Sequence, residues 1–287
     1  MTDAHQVVAV LGRGVVAPTD PVAGADDLGL TRGDGCFDAT LVEWDGEGWL
    51  VHDLDEHLDR LRRSADALGI DGPDDDDWIG LVGDALQEWT GGDEIGLKLL
   101  LTRGDEHRAG SPLAVVTLTE VDETTRRQRG GITVVTLSRG MPSDAFADAP
   151  WLLGGVKTIA YAVNVAAKRE ASRRGADDVI FTSSDGFVLE GPTSAVLWLR
   201  DGVLTTTPTG ATGILASISR AKVFAQATAA AGWRCEERLG AVDELLAAEG
   251  VWLVSSVRGI APVTAVDGRA VAQDERATAI LRELNGF

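Results

Sequence analysis

The sequence predicts an α+β protein of two domains. Three observations lead there. The chain is 287 residues long, and domains of about 150 residues are the usual size. Apolar runs are joined by tight Asp-Gly turns, as at Asp185-Gly186 and Asp201-Gly202, which is the signature of antiparallel hairpins. Helical periodicity comes in separate blocks and does not alternate with single strands, which disfavours a doubly wound parallel sheet.

In the first half, 7–11, 37–42 and 49–52 read as strands. Between the first two, Gly12-Arg13-Gly14-Val15-Val16-Ala17 imitates a dinucleotide fingerprint. That fingerprint needs a helix to begin there, and Pro18-Thr19-Asp20-Pro21 supplies turn chemistry instead, so a hairpin is expected. Leu54, Leu58, Leu61, Ala65 and Leu68 recur at helical spacing, giving an amphipathic helix over 53–68. Asp53 is its expected N-cap and Gly69 its stop. The acidic run 74–77 suits the positive end of a helix dipole, ahead of a helix over 78–89. Strands follow at 95–101 and 113–119. Residues 1–120 form the expected small N-terminal domain. The polar stretch 121–131 is the expected linker, and 132–287 the larger C-terminal domain. There, strands are expected at 132–137, 179–182, 187–190, 196–199, 203–206 and 251–254. Helices are expected at 161–174, 217–231 and 272–284.

Composition narrows the function. Acidic residues outnumber basic ones 45 to 26, for a net charge of −19. Such a surface repels phosphate backbones and anionic membranes, so no nucleic-acid or membrane partner is expected. No apolar run approaches the roughly 20 residues of a membrane-spanning helix, and no signal peptide is read at the N-terminus. A cytoplasmic location is expected. Cys36 and Cys235 are too few for a disulfide framework. The histidines His5, His52, His57 and His107 lack metal-ligand spacing, so no metal is expected.

Lysine is scarce: Lys98, Lys157, Lys168 and Lys222 are the only four. Lys168 and Lys222 sit on helices beside other charges and read as solvated. Lys98 interrupts an apolar strand, where it either points inward or snorkels. Lys157 lies between Trp151-Leu152-Leu153-Gly154-Gly155-Val156 and Thr158-Ile159-Ala160-Tyr161-Ala162-Val163. Apolar company depresses an amine's pKa toward neutrality, as Schiff-base chemistry requires. Composition leaves a structural lysine equally open. Glu190 closes an apolar run before Gly191, and is either an exposed carboxylate or the partner of a cation. Ser217-Ile218-Ser219-Arg220 opens a helix, where free N–H groups favour an anion or a plain N-cap. Ser255-Ser256 ends a strand with two hydroxyls.

Seven short motifs occur in a telling order: Gly33-Asp34-Gly35-Cys36-Phe37, His57-Leu58-Asp59-Arg60-Leu61, Thr102-Arg103-Gly104, Val156-Lys157, Gly175-Ala176-Asp177-Asp178, Glu190-Gly191 and Ile218-Ser219-Arg220. Together they resemble the fold-type IV pyridoxal 5′-phosphate (PLP) enzymes, the class IV aminotransferase family, which includes branched-chain and D-amino-acid aminotransferases and aminodeoxychorismate lyases. The resemblance implies a small N-terminal α/β domain, a larger C-terminal pseudobarrel domain and PLP between them. It gives Lys157 the role of covalent PLP carrier and acid/base. Glu190 would keep the pyridine nitrogen protonated, and Arg60 would pair with the phosphate. The Ile218 and Ser219 amides and the Ser256 hydroxyl would complete the phosphate site, with Ser194 beside it. Arg108, Arg32 and Phe37 would meet a small substrate bearing carboxylate and amine groups. A homodimer is implied, the loop holding Arg108 coming from the partner subunit.

Three departures fall around the pocket: Arg32 stands where an aromatic is frequent, Ala160 where Asn is common, and Ala195 where Glu-Gly-x-x-Ser-Asn ends in Asn. The Gly33–Phe37 motif is most similar to that of aminodeoxychorismate lyase, which implies conversion of 4-amino-4-deoxychorismate to 4-aminobenzoate and pyruvate, a folate-pathway step. The alternative is an aminotransferase for D-amino acids or branched-chain L-amino acids. A non-catalytic dimeric relative is a third reading, opposed by the joint presence of Lys157, Glu190 and Arg60.

Overall fold

Alternation of apolar and polar residues builds the first sheet. In the computed structural model, which describes residues 5–107 and 112–286, β1 (Gln6–Val10) turns through Gly12 into β2 (Gly14–Val16) as an antiparallel hairpin. A short helix α1 (Leu28–Arg32) precedes β3 (Gly35–Trp44) and β4 (Trp49–Val51). Helices α2 (Leu54–Leu68) and α3 (Asp75–Gln87) follow, then β5 (Glu94–Thr102) and β6 (Leu113–Glu120). The strands pair in the order β2-β1-β6-β5-β3-β4, all antiparallel. In β5, Ile95, Leu97, Leu99 and Leu101 point into the core while Lys98 points out and is exposed. The period of two settles the question about Lys98: it faces solvent.

Helix α2 lays Leu58, Leu61 and Ala65 against that sheet. Its buried face also carries His57, Arg60 and Ser64, polar groups that require partners. Gly69 ends the helix at φ 63, its N–H bonded back to Ala65 and Asp66 carbonyls, as a left-handed C-cap should be. Asp53 stands at the expected N-cap position, its carbonyl accepting from the His57 amide at 3.1 Å, but without the expected side-chain bond. Its φ is 49; a capping carboxylate needs extended backbone to reach the N2 or N3 amide. Helix α3 starts three residues earlier than expected because Asp74 caps the Asp77 amide at 2.9 Å.

The chain divides into two units, the first being Met1–Asp122 with Val156–Tyr161 and the second Glu123–Gly155 with Ala162–Phe287. The C-terminal part is therefore not one continuous domain. The segment 121–131, read as a linker, carries helix α4 (Glu123–Gln128), with Glu123 in its first turn and Arg126 and Arg127 in its last, charges that suit the helix dipole.

The second unit continues with β7 (Ile132–Ser138), a 3₁₀ turn (Pro150–Leu152), α5 (Ala162–Arg173), β8 (Asp178–Thr182), β9 (Ala195–Arg200) and β10 (Val203–Thr206). Then come α6 (Ile218–Ala231), β11 (Arg234–Glu237), α7 (Val242–Leu246), β12 (Gly250–Ser255), β13 (Gly259–Val266), β14 (Arg269–Ala270) and α8 (Glu275–Asn285). Its sheet runs β11-β10-β9-β12-β13-β7-β8, with β14 beside β13. The β9–β10 turn has Asp201 at φ 51 and Gly202 at φ 70, the geometry of a tight hairpin. One face buries Val196, Trp198, Val251 and Leu253 with Leu245 of α7. The other buries Leu197, Leu199 and Trp252 against Val223 of α6 and Leu281 of α8.

The strand expected at 187–190 is not formed; Phe187 and Val188 make only isolated bridges, to Ala241 and Thr182. The hydrogen bonds give the reason. Phe181 accepts from the Leu189 amide and donates to the Glu190 carbonyl, both at 2.8 Å. Two residues oppose one, which is a β-bulge, and bulges re-aim side chains.

Candidate active site

Lys157 belongs to the segment that joins the first unit. The Phe37 amide donates to the Lys157 carbonyl at 3.0 Å, and Ile159 donates to Gly35 at 3.0 Å. The Lys157 amide reaches Ser64 Oγ on α2 at 3.3 Å. The backbone around the lysine is thus tied to β3 and α2. Its Nζ lies 4.3 Å from the centre of the Phe37 ring and 5.9 Å from that of Tyr161. The two rings meet edge to face at 5.1 Å. Ring faces attract cations. Tyr161, the chain's one tyrosine, was not among the expected site residues; its place four residues after Lys157 was the available signal.

Arg60 sits in a buried charged cluster. Its Nε and Nη2 donate to the two oxygens of Asp38 at 2.8 and 2.7 Å, and His57 Nδ1 lies 2.7 Å from Asp38 Oδ1. Burial alone would raise the Asp38 pKa, but the hydrogen bonds and charges of Arg60 and His57 outweigh it and hold the carboxyl well below its usual range. Asp38 was missed in the sequence, although a carboxylate inside the apolar run 37–42 was a signal. No cluster of three or more His, Cys, Asp or Glu suited to a metal occurs among the described residues.

Cys36, next to Phe37, is fully buried. Burial, then the charges of Asp38 and Asp34, push its thiol up to about 12. An unfolded thiol ionises near pH 8.5. The native chain therefore keeps a proton that the unfolded chain loses, and this contribution to stability is full below about pH 8.5 and fades as pH rises toward 12. The expected outcome is a urea midpoint that falls above pH 8.5 in the native sequence and falls less in Cys36→Ala. Equal slopes for the two proteins would refute it.

Arg32 ends α1, mostly exposed, 3.8 Å from Glu106. The following Gly33 is left-handed at φ 70, and a Cβ there would sit 3.3 Å from the Ala160 side chain. Arg32 thus leaves the backbone close to the segment that holds Lys157. Arg108 lies outside the described residues.

The second unit holds the remaining candidates. The bulge carries Glu190, whose Oε1 accepts from Arg139 Nη1 at 3.2 Å and whose Oε2 accepts from the Leu215 amide at 3.0 Å. Ser217 caps α6 by accepting from the Arg220 amide at 3.2 Å. The first-turn amides of Ile218 and Ser219 have no carbonyl within the helix to bond. Ser219 and Ser256 bring their hydroxyls to 3.3 Å at the same helix start. Two amides, two hydroxyls and a helix dipole could hold an anion such as a phosphate monoester.

Ser194 is held by Arg258, which reaches its Oγ at 3.4 Å and Asp178 at 2.7 Å. Arg258 and Asp178 are both buried. This pair ties the turn after Glu190 to the turn after Ser256, and Arg258 carried no sequence signal of its own.

The sequence matches the family described as amino-transferase class IV over residues 35–266. The chain belongs to the class IV aminotransferases. It is therefore an enzyme, with the α+β fold of type IV. This class IV aminotransferase is 38% identical over 272 residues, 92% of each chain, to the bifunctional aminodeoxychorismate lyase / D-amino acid transaminase of Mycobacterium tuberculosis. It is 29% identical over 252 residues to the D-alanine aminotransferase of Bacillus licheniformis, covering 86% of this chain and 83% of that one. A hypothetical aminotransferase from M. tuberculosis, solved in a PLP-bound form, superposes with a TM-score of 0.90 at 36% identity, covering 98% of both chains. A fold IV transaminase from Curtobacterium pusillum does so with a TM-score of 0.87 at 41% identity, covering 98% of this chain and 97% of that one.

Proposed function

We propose that this class IV aminotransferase uses pyridoxal 5′-phosphate to convert 4-amino-4-deoxychorismate to 4-aminobenzoate and pyruvate. The observation that carries the reading is its likeness, over 92% of each chain, to a protein named for that lyase activity. A second reading, transamination of D-amino acids, is favoured by the other half of the same name and by the likeness to a D-alanine aminotransferase.

The residues fit the cofactor. Lys157 would hold it covalently at rest. Glu190 would pair with the ring nitrogen, Arg60 would pair with the phosphate, and the Ile218 and Ser219 amides and the Ser256 hydroxyl would donate to it, with Ser194 supporting the turn after Glu190. The bound ring supplies an electron sink for the pair left at the amine-bearing carbon. Lys157 Nζ, once freed, takes the proton from that carbon. Loss of enolpyruvate then leaves an aromatic ring, and the proton on Nζ is available to convert the enol to pyruvate. In transamination the same Nζ would return its proton to the cofactor carbon. Arg32 and Arg108 hold substrate carboxylates, Arg108 on a loop supplied by the partner of a homodimer. Among the described residues no helix is long and apolar enough to cross a membrane, and a cytoplasmic enzyme of folate synthesis is the setting proposed.

The test is to supply 4-amino-4-deoxychorismate and measure both products. Equal amounts of 4-aminobenzoate and pyruvate are expected. Separately, D-alanine is expected to convert the bound cofactor to its pyridoxamine form, and L-leucine to leave it unchanged. Absence of 4-aminobenzoate with rapid conversion by L-leucine would overturn the proposal.

A further inference from the structure

Glu190 does not stand alone. Arg139 follows directly after β7, and its amide donates to the Thr182 carbonyl at 2.8 Å. Its guanidinium lies 5.1 Å from the centre of the Phe181 ring, the residue opposite the bulge, and donates to Glu190 Oε1 at 3.2 Å. The carboxylate side chain is 16% exposed and that of Arg139 26%. Backbone bond, ring face and carboxylate together fix the guanidinium in one place. The Leu215 amide holds the other carboxylate oxygen, so Glu190 is gripped at both oxygens by donors that favour its charged form.

We infer that Arg139 is a positioning residue that sets how strongly Glu190 keeps a proton on the cofactor's ring nitrogen. The inference rests on the reading of Glu190 given above. A proton between a carboxylate and a pyridine nitrogen has two resting places. On nitrogen it leaves a carboxylate anion; on oxygen it leaves a neutral acid. Arg139 touches the carboxylate itself, so its charge stabilises the anion and sends the proton to nitrogen. The Leu215 amide acts in the same sense. The strength of the electron sink then depends on a residue 51 positions from Glu190 in sequence. An ordinary, partly exposed ion pair would contribute little to stability and nothing to the chemistry of the ring.

The test compares PLP with its carbocyclic analogue, in which C–H replaces the ring nitrogen. Apo-protein is titrated with each, followed by quenching of its eight tryptophans. The readout is the ratio of the two dissociation constants. The native sequence is expected to prefer PLP, and Glu190→Gln to abolish that preference. Arg139→Gln is expected to cut it about tenfold, the size of one charge-assisted hydrogen bond, with little change in affinity for the analogue. Arg139→Lys, which restores the charge, is expected to recover most of it. If Glu190→Gln loses the preference and Arg139→Gln keeps it, the arginine is structural only and the inference fails. If Glu190→Gln keeps the preference, the reading of Glu190 fails first. Should Arg139→Gln not fold, Arg139→Met, whose stem still packs on Phe181, takes its place under the same criteria.

Discussion

Lys157→Ala is expected to lower turnover by about 10⁴-fold or more, because one substitution removes both a nucleophilic amine and the acid/base. Borohydride treatment of the PLP-loaded native protein is expected to fix the cofactor irreversibly to the peptide containing Lys157. The variant is expected to carry no such label. The other lysines offer poor substitutes: Lys98 and Lys168 are exposed, and Lys222 lies on the outer turns of α6, half-buried. Peptide mapping of the reduced protein checks this directly. A label on another lysine, or turnover retained by Lys157→Ala, would remove the proposed mechanism.

Asp38→Asn is expected to destabilise the protein by about 3 to 5 kcal/mol, the cost of leaving a buried charge without its partner. Arg60 would keep a buried guanidinium facing a neutral amide, with one of its two acceptor oxygens replaced by an NH2 donor. Urea unfolding at neutral pH measures the loss. A double variant, Asp38→Asn with Arg60→Met, is expected to be less impaired than Asp38→Asn alone, because it removes the stranded charge as well. Acid gives a second handle. The Asp38 pKa is depressed in the fold and ordinary, near 3.9, in the unfolded chain. Its stabilisation is therefore fully present above about pH 4 and lost as pH falls toward the folded-state value. The native protein should weaken below pH 4 more steeply than Asp38→Asn. Parallel acid limbs would refute the assignment.

How far the sequence spoke for the molecule depended on whether the deciding contact was local. The 54–68 helix declared itself because its apolar spacing and its Gly69 stop lie within 16 residues. The Asp201-Gly202 hairpin did so because its turn needs two adjacent residues at positive φ. Asp53 took the N-cap position without its side-chain bond, because a capping side chain and a left-handed turn residue are the same amino acid in sequence. The run ending at Glu190 read as a strand, since a bulge depends on the register of a partner strand. Arg139 and Arg258 were silent for a like reason: their partners lie 51 and 80 positions away. Lysine scarcity, by contrast, was a property of the whole chain, and it singled out Lys157 for scrutiny without any contact being known.

The return of Val156–Tyr161 to the first unit bears on how the protein matures during synthesis. Cys36 bridges to Thr158, and Ser64 takes the Lys157 amide, yet these partners leave the ribosome long after the sheet they complete. Until then the Gly35–Phe37 end of β3 lacks the backbone pairing that this segment supplies. Loop closure over such a separation is slow compared with hairpin pairing. Lys157 is thus among the last groups of its unit to be set in place, so a ribosome-bound chain that has already formed its N-terminal sheet still lacks the amine proposed to take the cofactor.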